Sequence, residues 1–252
     1  MATFLDFLDV TVVNIAFPSL QRHFPHATLS ELSWVVTGYA VVFAALLTPA
    51  GRVADIVGRK RVFLSGVAGF ALASLASATA PSVPVLIAAR AIQGGAAAVT
   101  IPAALGLVLA TTAPERRTMA IGMWGAAASI SAIVGPTLGG LLVEAWDWRA
   151  VFLINVPIGI ATVIAGIRVL PEVREGGDRL PDLPGTAVLA TSLGLLVVGV
   201  TKGSAWGWSS AATIGSVGGG LVLLAASVRR ALSHPAPALE TSLWRNRMFA
   251  AA

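Results

Sequence analysis

Two side chains of opposite charge lie inside long apolar segments of this sequence. Asp9 precedes a largely apolar run that ends at Leu20, and Arg90 lies within the stretch from Val83 to Ala110. A charge removed from water is costly unless it is paired, hydrogen-bonded or neutralised by a proton. A buried carboxyl can therefore load and release a proton, and a nearby guanidinium opposes the loading. Asp9 and Arg90 are candidates for proton coupling, and Asp6, one helical turn before Asp9, is a third.

Structural roles would explain the same three residues. Asp9 could make a polar helix contact, Asp6 could lie in water at a helix end, and the stem of Arg90 could extend to the membrane surface. Position favours coupling for Asp9. It lies eleven residues before Leu20, which places it about 16 Å below the outer surface if the segment is helical. Transporter binding sites lie near this depth.

A third set of charges follows the second apolar segment, in the string Gly-Arg-Val-Ala-Asp-Ile-Val-Gly-Arg-Lys-Arg that begins at Gly51. Its two glycines allow a tight loop between helices, and its aspartate comes one turn before a basic cluster. Taken alone, the string fits an ordinary turn whose basic residues anchor the helices at the inner surface.

Small and amide residues interrupt three of the apolar segments. Glycines permit close approach of helices, and a proline in mid-membrane frees a backbone carbonyl. These positions are expected to line a substrate cavity or to pack helices together. The candidates are Asn14, Gln93, Gly94, Gly135, Pro136, Gly139 and Gly140.

The amino-acid composition indicates that the candidate residues lie on transmembrane helices. Of the 252 residues, 56% are hydrophobic and only 12% are charged, and the mean hydropathy is +0.83. The apolar blocks have about the 17–25 residues that cross a bilayer as helix, and unpaired backbone groups in lipid exclude open strands. The sequence predicts an all-α transmembrane fold of eight spans, with a ninth beginning at Met248. The eight are Thr3–Leu20, Ser33–Ala50, Val62–Ala80, Val83–Ala110, Met119–Val143, Val151–Leu170, Leu183–Thr201 and Ala211–Val228.

The basic residues orient these spans. With the N-terminus in the cytoplasm, inside loops hold thirteen of the 17 Lys and Arg residues and outside loops hold three. This is the positive-inside bias of a multi-pass protein of the cell membrane. Five tryptophans then fall at outer helix ends, where an indole favours the headgroup layer: Trp34, Trp146, Trp148, Trp206 and Trp208.

A polar, Pro- and Gly-rich segment from Pro171 to Pro184 divides the chain. We expect a six-helix N-terminal bundle over residues 1–170 and a cytoplasmic linker over 171–183. Two additional helices would follow over 184–230, and a cytoplasmic loop with the start of a ninth helix over 231–252.

Two of the strings resemble signatures of the major facilitator superfamily. The string from Gly51 to Lys60 is similar to its Gly-x-x-x-Asp-x-x-Gly-Arg-Lys/Arg loop, with Ile56 where an arginine is frequent. The string from Arg90 to Gly94 is similar to its fourth-span Arg-x-x-Gln-Gly motif. The resemblance implies that charge contacts of Asp55 and Arg59 hold the cytoplasmic side closed and that Arg90 takes part in proton coupling. The candidate gate residues are Gly51, Asp55, Gly58, Arg59 and Lys60.

Three further strings resemble the fourteen-span drug:proton antiporters of that superfamily. They are Leu8–Pro18 (Leu-Asp-x-Thr-Val-Val-Asn-x-Ala-x-Pro), Gly135–Gly140 (Gly-Pro-x-x-Gly-Gly) and Trp148–Pro157 (Trp-Arg-x-x-Phe-x-Ile-Asn-x-Pro). The Gly-Pro string is typical of antiporters rather than symporters. The resemblance covers the whole chain and implies that a C-terminal six-helix bundle, which forms half of the substrate cavity, is needed for a complete transporter.

The expected function is proton-coupled efflux of hydrophobic or cationic small molecules such as drugs. Its partners would be a small-molecule substrate, protons and the lipid bilayer. Two alternatives stay open: a symporter or metabolite exporter of the same superfamily, and a truncated membrane module that does not transport.

An enzyme is not expected. The sequence has no cysteine, and His23, His26 and His234 fall in loops without partners. It shows no nucleophile–base pair, metal cluster or phosphate-binding loop, so no cofactor or metal is predicted. The net charge of +5 is spread over short loops rather than one face, which argues against nucleic acid.

Overall fold

A computed structural model of the protein describes residues 2–174 and 182–233, and within these it consists of helices and short connections. Eight helical segments are long and apolar enough to cross a membrane, so the predicted eight spans are confirmed. The α-helices are α1 (Ala2–His23), α2 (Leu29–Val57), α3 (Arg59–Ala78), α4 (Val83–Thr111), α5 (Arg117–Ala145), α6 (Ala150–Leu153), α7 (Asn155–Val169), α8 (Leu183–Trp206) and α9 (Ala211–Ser233). Helices α6 and α7 together form the sixth span.

Helix α2 begins with a complete capping box. The hydroxyl of Thr28 accepts a hydrogen bond from the backbone N–H of Glu31, whose side chain accepts one from the backbone N–H of Thr28. These bonds satisfy amides that the first turn leaves unpaired. They also explain why α2 begins before its apolar block.

The end of α2 corrects a prediction. Gly51 and Asp55 lie on the helix itself, which continues to Val57, and the predicted loop is reduced to Gly58. The φ of Gly58 is 120°, a region that favours glycine. The apolar block ends at Ala50, but α2 continues for seven more residues, and Asp55 near its end pairs with Arg59, the first residue of α3.

The first six spans pack side by side, and the contacts include both parallel and antiparallel pairs. Helix α4 contacts both α2 and α3, α1 packs along α5, and α3 also contacts α7. One apolar core joins α1 to the neighbouring helix ends. Its largest members are Leu20, Leu32, Leu86, Trp148 and Phe152.

This core corrects the prediction for one tryptophan. Trp148 is 1% exposed and packs against His23, Phe24 and Phe152, whereas Trp146 is 74% exposed. Trp148 is therefore a packing residue and not a headgroup anchor. His23 is the last residue of α1 rather than part of a loop, and its Nε2 lies 3.1 Å from the guanidinium of Arg149.

The last two described helices form a hairpin that packs on α2. Within it, the hydroxyl of Ser192 donates to the carbonyl of Gly220 over 2.9 Å. At one end the buried Asp182 caps α8 and pairs with Arg230. At the other end Lys202 donates to the hydroxyl of Ser33 over 2.8 Å. Hydrogen bonds thus fix the hairpin internally and against α2.

Some predicted features lie outside the described residues. They are the middle of the linker with Arg179, the tail with Arg245 and Arg247, His234, and the ninth span expected at Met248.

Candidate functional site

The two charged residues of the apolar segments meet. The Nη1 atom of Arg90 on α4 lies 2.5 Å from Oδ2 of Asp9 on α1, and each side chain is at most 1% exposed. This ion pair joins residues 81 positions apart in the chain. Arg90 therefore does not extend to the membrane surface, and Asp9 is not in contact with water.

Side-chain amides of α4 and α7 satisfy the other oxygen of Asp9. Oδ1 accepts hydrogen bonds from Gln93 Nε2 (2.9 Å) and from Asn155 Nδ2 (3.0 Å). The same two amides donate to the hydroxyl of Ser74, over 2.7 Å and 3.3 Å. All three partners are fully buried. The hydrogen bonds leave neither oxygen of this buried carboxyl without a partner.

Arg90 is held from the side of α2. Its Nε donates to the backbone carbonyl of Val35 over 3.2 Å, and its guanidinium lies 4.3 Å from the ring centre of Tyr39. Its Nη1 also donates to Gln93 Oε1 over 2.7 Å. The carbonyl and the aromatic face compensate part of the cost of burying the cation. The site therefore connects α1, α2, α3, α4 and α7.

Asp6 lies close to this network without joining it. It is 4% exposed, and its Oδ2 is buried without a hydrogen-bond partner in the described part of the chain. It lines a cavity of about 240 Å³ together with Arg90 and side chains of α1, α2 and α4. The other lining residues are Phe7, Val10, Val36, Tyr39, Ala40, Phe43 and Ile101.

The candidate gate is built at the opposite end of α2 from Thr28. The Nε and Nη2 atoms of Arg59 contact Oδ1 of Asp55 at 3.0 and 2.9 Å. A Cβ placed on Gly106 of α4 would lie 2.6 Å from Cζ of Arg59, so α4 leaves space for this guanidinium only because residue 106 is glycine. The guanidinium of Arg59 thus packs the α2–α3 turn against α4 at Gly106.

The segment after α7 covers the same turn. The backbone N–H of Arg59 donates to the carbonyl of Val173 (2.9 Å), and Lys60 Nζ donates to the carbonyl of Ile167 (2.9 Å). Gly51 instead lies within α2, where an added Cβ would be 3.5 Å from Cβ of Pro102. The turn itself depends on Gly58, because its φ of 120° is a conformation that other residues rarely adopt.

The small residues fall into two groups. Gly135 and Gly139 are buried where α5 crosses α1, and Cβ atoms added there would meet Thr11 and Val12. Gly94 is buried against the backbone of Tyr39 on α2. These three glycines lie where neighbouring helices approach closely.

Of the remaining small and amide candidates, only one takes part in the buried network. Pro136 is exposed and Gly140 has open space beside it. Asn14 is exposed, and its amide donates to the carbonyl of Val10 on its own helix. Gln93 alone among the amide candidates reaches the ion pair.

Three residues of the site were not among the predicted ones. Asn155 stands in the string Trp148–Pro157, but nothing in the sequence connects it with Asp9, 146 positions away. Ser74 is one of several small polar residues in the third span, and Tyr39 is the single tyrosine of the chain. A polar residue on the buried face of each span would have been the signal to follow.

Comparison with known proteins gives several relatives named for export or drug resistance. The tetracenomycin C resistance and export protein of Streptomyces glaucescens is 37% identical over 240 residues, which are 95% of this chain and 44% of that protein. The multidrug resistance protein Stp of Mycobacterium tuberculosis is 36% identical, over 100% of this chain and 47% of its own length. The cephamycin export protein CmcT of Amycolatopsis lactamdurans is 42% identical, over 90% of this chain and 47% of its own length. The chain thus spans about half the length of the relatives it matches.

Solved structures share the fold. A bacterial homologue of the human lysosomal transporter Spinster, in an inward-facing and unoccupied conformation, superposes with a TM-score of 0.60 at 18% identity, over 90% of this chain and 58% of that one. The peptide transporter POT in complex with sulfate gives 0.57 at 15% identity, over 93% and 52%. The family model of the Major Facilitator Superfamily matches residues 1–186. The chain is a multi-pass membrane protein and belongs to the Major Facilitator Superfamily.

Proposed function

We propose that this chain takes part in proton-coupled efflux of hydrophobic or cationic small molecules, such as drugs, across the cytoplasmic membrane. The names of its relatives support export, since three of them refer to export or resistance. The observation that carries the coupling is the buried ion pair between Asp9 and Arg90. We propose transport and no catalysis.

Protonation of Asp9 would change the network at its centre. The charged carboxylate accepts from Arg90, Gln93 and Asn155. A neutral acid accepts these bonds less strongly and needs an acceptor for its own proton. Because the donors belong to α4 and α7, loading a proton weakens the attachment of α1 to both helices. A change of charge at one atom pair thus becomes a change in helix packing.

A second six-helix bundle is part of the proposal. We propose that residues 1–170 form the N-terminal bundle, that 171–183 link it to two additional helices over 184–230, and that 231–252 lead into a ninth helix. The complete carrier, meaning this chain joined to a C-terminal bundle, would enclose the substrate between its halves. The ion pair of Asp55 with Arg59 would hold its cytoplasmic side closed.

The test is proton movement in the complete carrier reconstituted in vesicles. Asp9→Asn should abolish substrate export driven by an imposed proton gradient, because the amide cannot carry a proton. Asp147→Asn, the same change in a partly exposed ion pair of the outer turn, is the matched control and should keep export. Size-exclusion profiles of both variants report on folding.

Two results would contradict the proposal. If Asp9→Asn exported substrate with undiminished dependence on the proton gradient, Asp9 would be removed from the coupling mechanism. Export by the wild-type carrier without any counterflow of protons would exclude antiport itself.

A further inference from the structure

One amide of the buried network uses only half of its hydrogen-bonding groups. The Nδ2 atom of Asn155 on α7 donates to Oδ1 of Asp9 over 3.0 Å and to the hydroxyl of Ser74 over 3.3 Å. Its carbonyl oxygen, Oδ1, is buried and has no hydrogen-bond partner among the described residues. Buried polar atoms almost always have a partner, because an unpaired one loses its hydration without compensation. The site therefore holds one acceptor that it does not use.

The contacts of Asp9 suit a carboxylate that only accepts hydrogen bonds. Its Oδ2 accepts from Arg90, and its Oδ1 accepts from Gln93 and Asn155. A protonated carboxyl also donates, so its hydroxyl needs an acceptor. Every group now bonded to the two oxygens is a donor, and a proton added to Asp9 would find no acceptor in the present arrangement.

The other polar groups around Asp9 do not offer this acceptor. Arg90 carries donors only, and Oε1 of Gln93 already accepts from Nη1 of Arg90 over 2.7 Å. Asp6, one turn earlier on α1, forms no hydrogen bond with Asp9 among the described residues. The carbonyl of Asn155 is unoccupied, and it belongs to an amide that already contacts the carboxyl. It is the acceptor that a protonated Asp9 would use.

We propose that Asn155 is a two-way partner of Asp9: its amide presents Nδ2 to the charged carboxylate and turns to present Oδ1 to the protonated acid. The inference rests on the proposed function, because it supplies an acceptor for the proton that Asp9 would carry. Asn155 is a positioning residue here, since the proton stays on Asp9. A half-turn about the Cβ–Cγ bond exchanges the two ends of the amide and leaves its shape almost unchanged.

The rotation exchanges hydrogen bonds one for one. A proton from water adds to Oδ1 of Asp9, the bond from Nδ2 of Asn155 is lost, and the new hydroxyl donates to Oδ1 of Asn155. Ser74 can follow, because a hydroxyl that accepted from Nδ2 can donate to Oδ1 instead. Nδ2 then takes the place that Oδ1 left, so each state leaves one polar group of the amide unpaired. Neither orientation is therefore locked by its surroundings.

Close packing of α7 on α3 confines the change to the side chain. Gly159 follows Asn155 by one turn, and Ala71 precedes Ser74 by one turn. A Cβ added to Gly159 would lie 2.8 Å from Cβ of Ala71, so the two helices are in contact at this point. Rotation about one side-chain bond is thus the smallest movement that brings an acceptor to Asp9.

The experiment follows the side-chain carbonyl of asparagine by infrared difference spectroscopy of the purified 252-residue chain in detergent. An isotopic label on that carbonyl carbon separates its band from the other carbonyl bands, and the sequence has three asparagines: Asn14, Asn155 and Asn246. A carbonyl stretch falls in frequency when its oxygen accepts a hydrogen bond. Acidification from about pH 8 to about pH 4 should therefore shift one labelled band to lower frequency, as the carboxylic acid band of Asp9 appears.

Variants assign both bands. Asp9→Asn should lose the acid band and the shift, because the amide cannot take up the proton. Asn155→Leu should lose the shift and keep the acid band. Asn14→Leu, the matched removal of an exposed amide, should keep both. The double variant Asn14→Leu/Asn246→Leu leaves Asn155 as the one labelled asparagine, so the assignment does not depend on the folding of Asn155→Leu.

Other ionisable groups near Asp9 need a control of their own. They are Asp6 on its own helix, Tyr39 on α2 and Arg90 on α4, and the charge of the N-terminal amine acts on Asp6. Asp6→Asn should keep the labelled shift, because Asp6 forms no hydrogen bond with Asp9 or Asn155 among the described residues. Loss of the shift in Asp6→Asn would assign the proton to Asp6 and overturn the inference.

Two further results would contradict the two-way amide. They are an acid band of Asp9 without any shift of the labelled carbonyl, and a shift that persists in Asn155→Leu. A failure of the proposed function is distinguishable from these, because the acid band of Asp9 would then be missing from the wild-type chain over the whole pH range. That result would refute proton loading at Asp9 together with the inference that rests on it.

Discussion

Helix α4 offers a test of the packing that brings Arg90 to its partners, because two adjacent glycines meet different surroundings. A Cβ added to Gly94 would overlap the backbone carbonyl oxygen of Tyr39 and come within 3.0 Å of its carbonyl carbon and Cα. A Cβ added to Gly95 would lie 3.4 Å from Cδ1 of Leu46 and 3.5 Å from Cγ1 of Val42, which are side-chain atoms at ordinary distances. The two positions therefore differ in what an extra methyl group must displace.

The expected magnitudes follow from this difference. Alanine gains about 1 kcal/mol over glycine in a helix, and both variants share this gain. Forcing an extra methyl group into a packed interior costs about 1–3 kcal/mol. At position 94 the obstacle is backbone, so α2 and α4 must separate, whereas at position 95 two flexible side chains can adjust. Gly94→Ala should therefore be less stable than Gly95→Ala by about 1–3 kcal/mol.

The assay is thermal unfolding of both variants and the wild-type chain in the same detergent. For a chain of this size the difference corresponds to about 2–12 °C in Tm between the two variants. Equal Tm values would refute the reasoning, since the propensity gain is common to both and only the overlap with Tyr39 distinguishes them.

Two further predictions concern orientation and the gate. A cysteine introduced at Ser204, near the outer end of α8, should react with a membrane-impermeant thiol reagent added to intact cells. A cysteine introduced at Glu115, between α4 and α5, should react only after the cells are permeabilised. The opposite pattern would reverse the topology. Asp55→Asn should lower export by the complete carrier, because it removes the charge that pairs with Arg59. Membrane insertion should be unchanged, because the substitution alters no apolar span. A normal transport rate with correct insertion would exclude a gating role for Asp55.

Apolar block length was sufficient to predict all eight spans, but not their ends. A block ends where its residues become polar, whereas a helix ends where its hydrogen bonds are no longer satisfied. Helix α2 begins four residues before the predicted start because Thr28 and Glu31 cap it, and it ends seven residues after the predicted end, at the glycine turn of Gly58. A side-chain cap and a backbone turn set these ends, and hydropathy registers neither.

The charged members of the candidate site could be predicted from the sequence, whereas Ser74 and Asn155 could not. Asp9 and Arg90 are conspicuous because a charge in an apolar segment needs a partner, and the two signs indicate which partner it is. Ser74 and Asn155 carry no charge. A neutral polar residue in an apolar span does not require an ion-pair partner, so nothing in the sequence indicates that either one lies beside Asp9. Their role depends on the tertiary arrangement of α3 and α7 against α1, and no pattern within a single span contains that information.

The glycine contact and the polar network act as one unit. Arg90 and Gly94 are four residues apart, hence on one face of α4, and both face α2: the guanidinium reaches the carbonyl of Val35, and the glycine lies against the backbone of Tyr39. A larger residue at 94 would move α4 away from α2, and the 3.2 Å hydrogen bond from Arg90 to Val35 would lengthen with it. Arg90 would then keep its side-chain partners Asp9 and Gln93 but lose its bond to α2. The small residue therefore holds the guanidinium against α2, although it carries no charge and does not touch the ion pair.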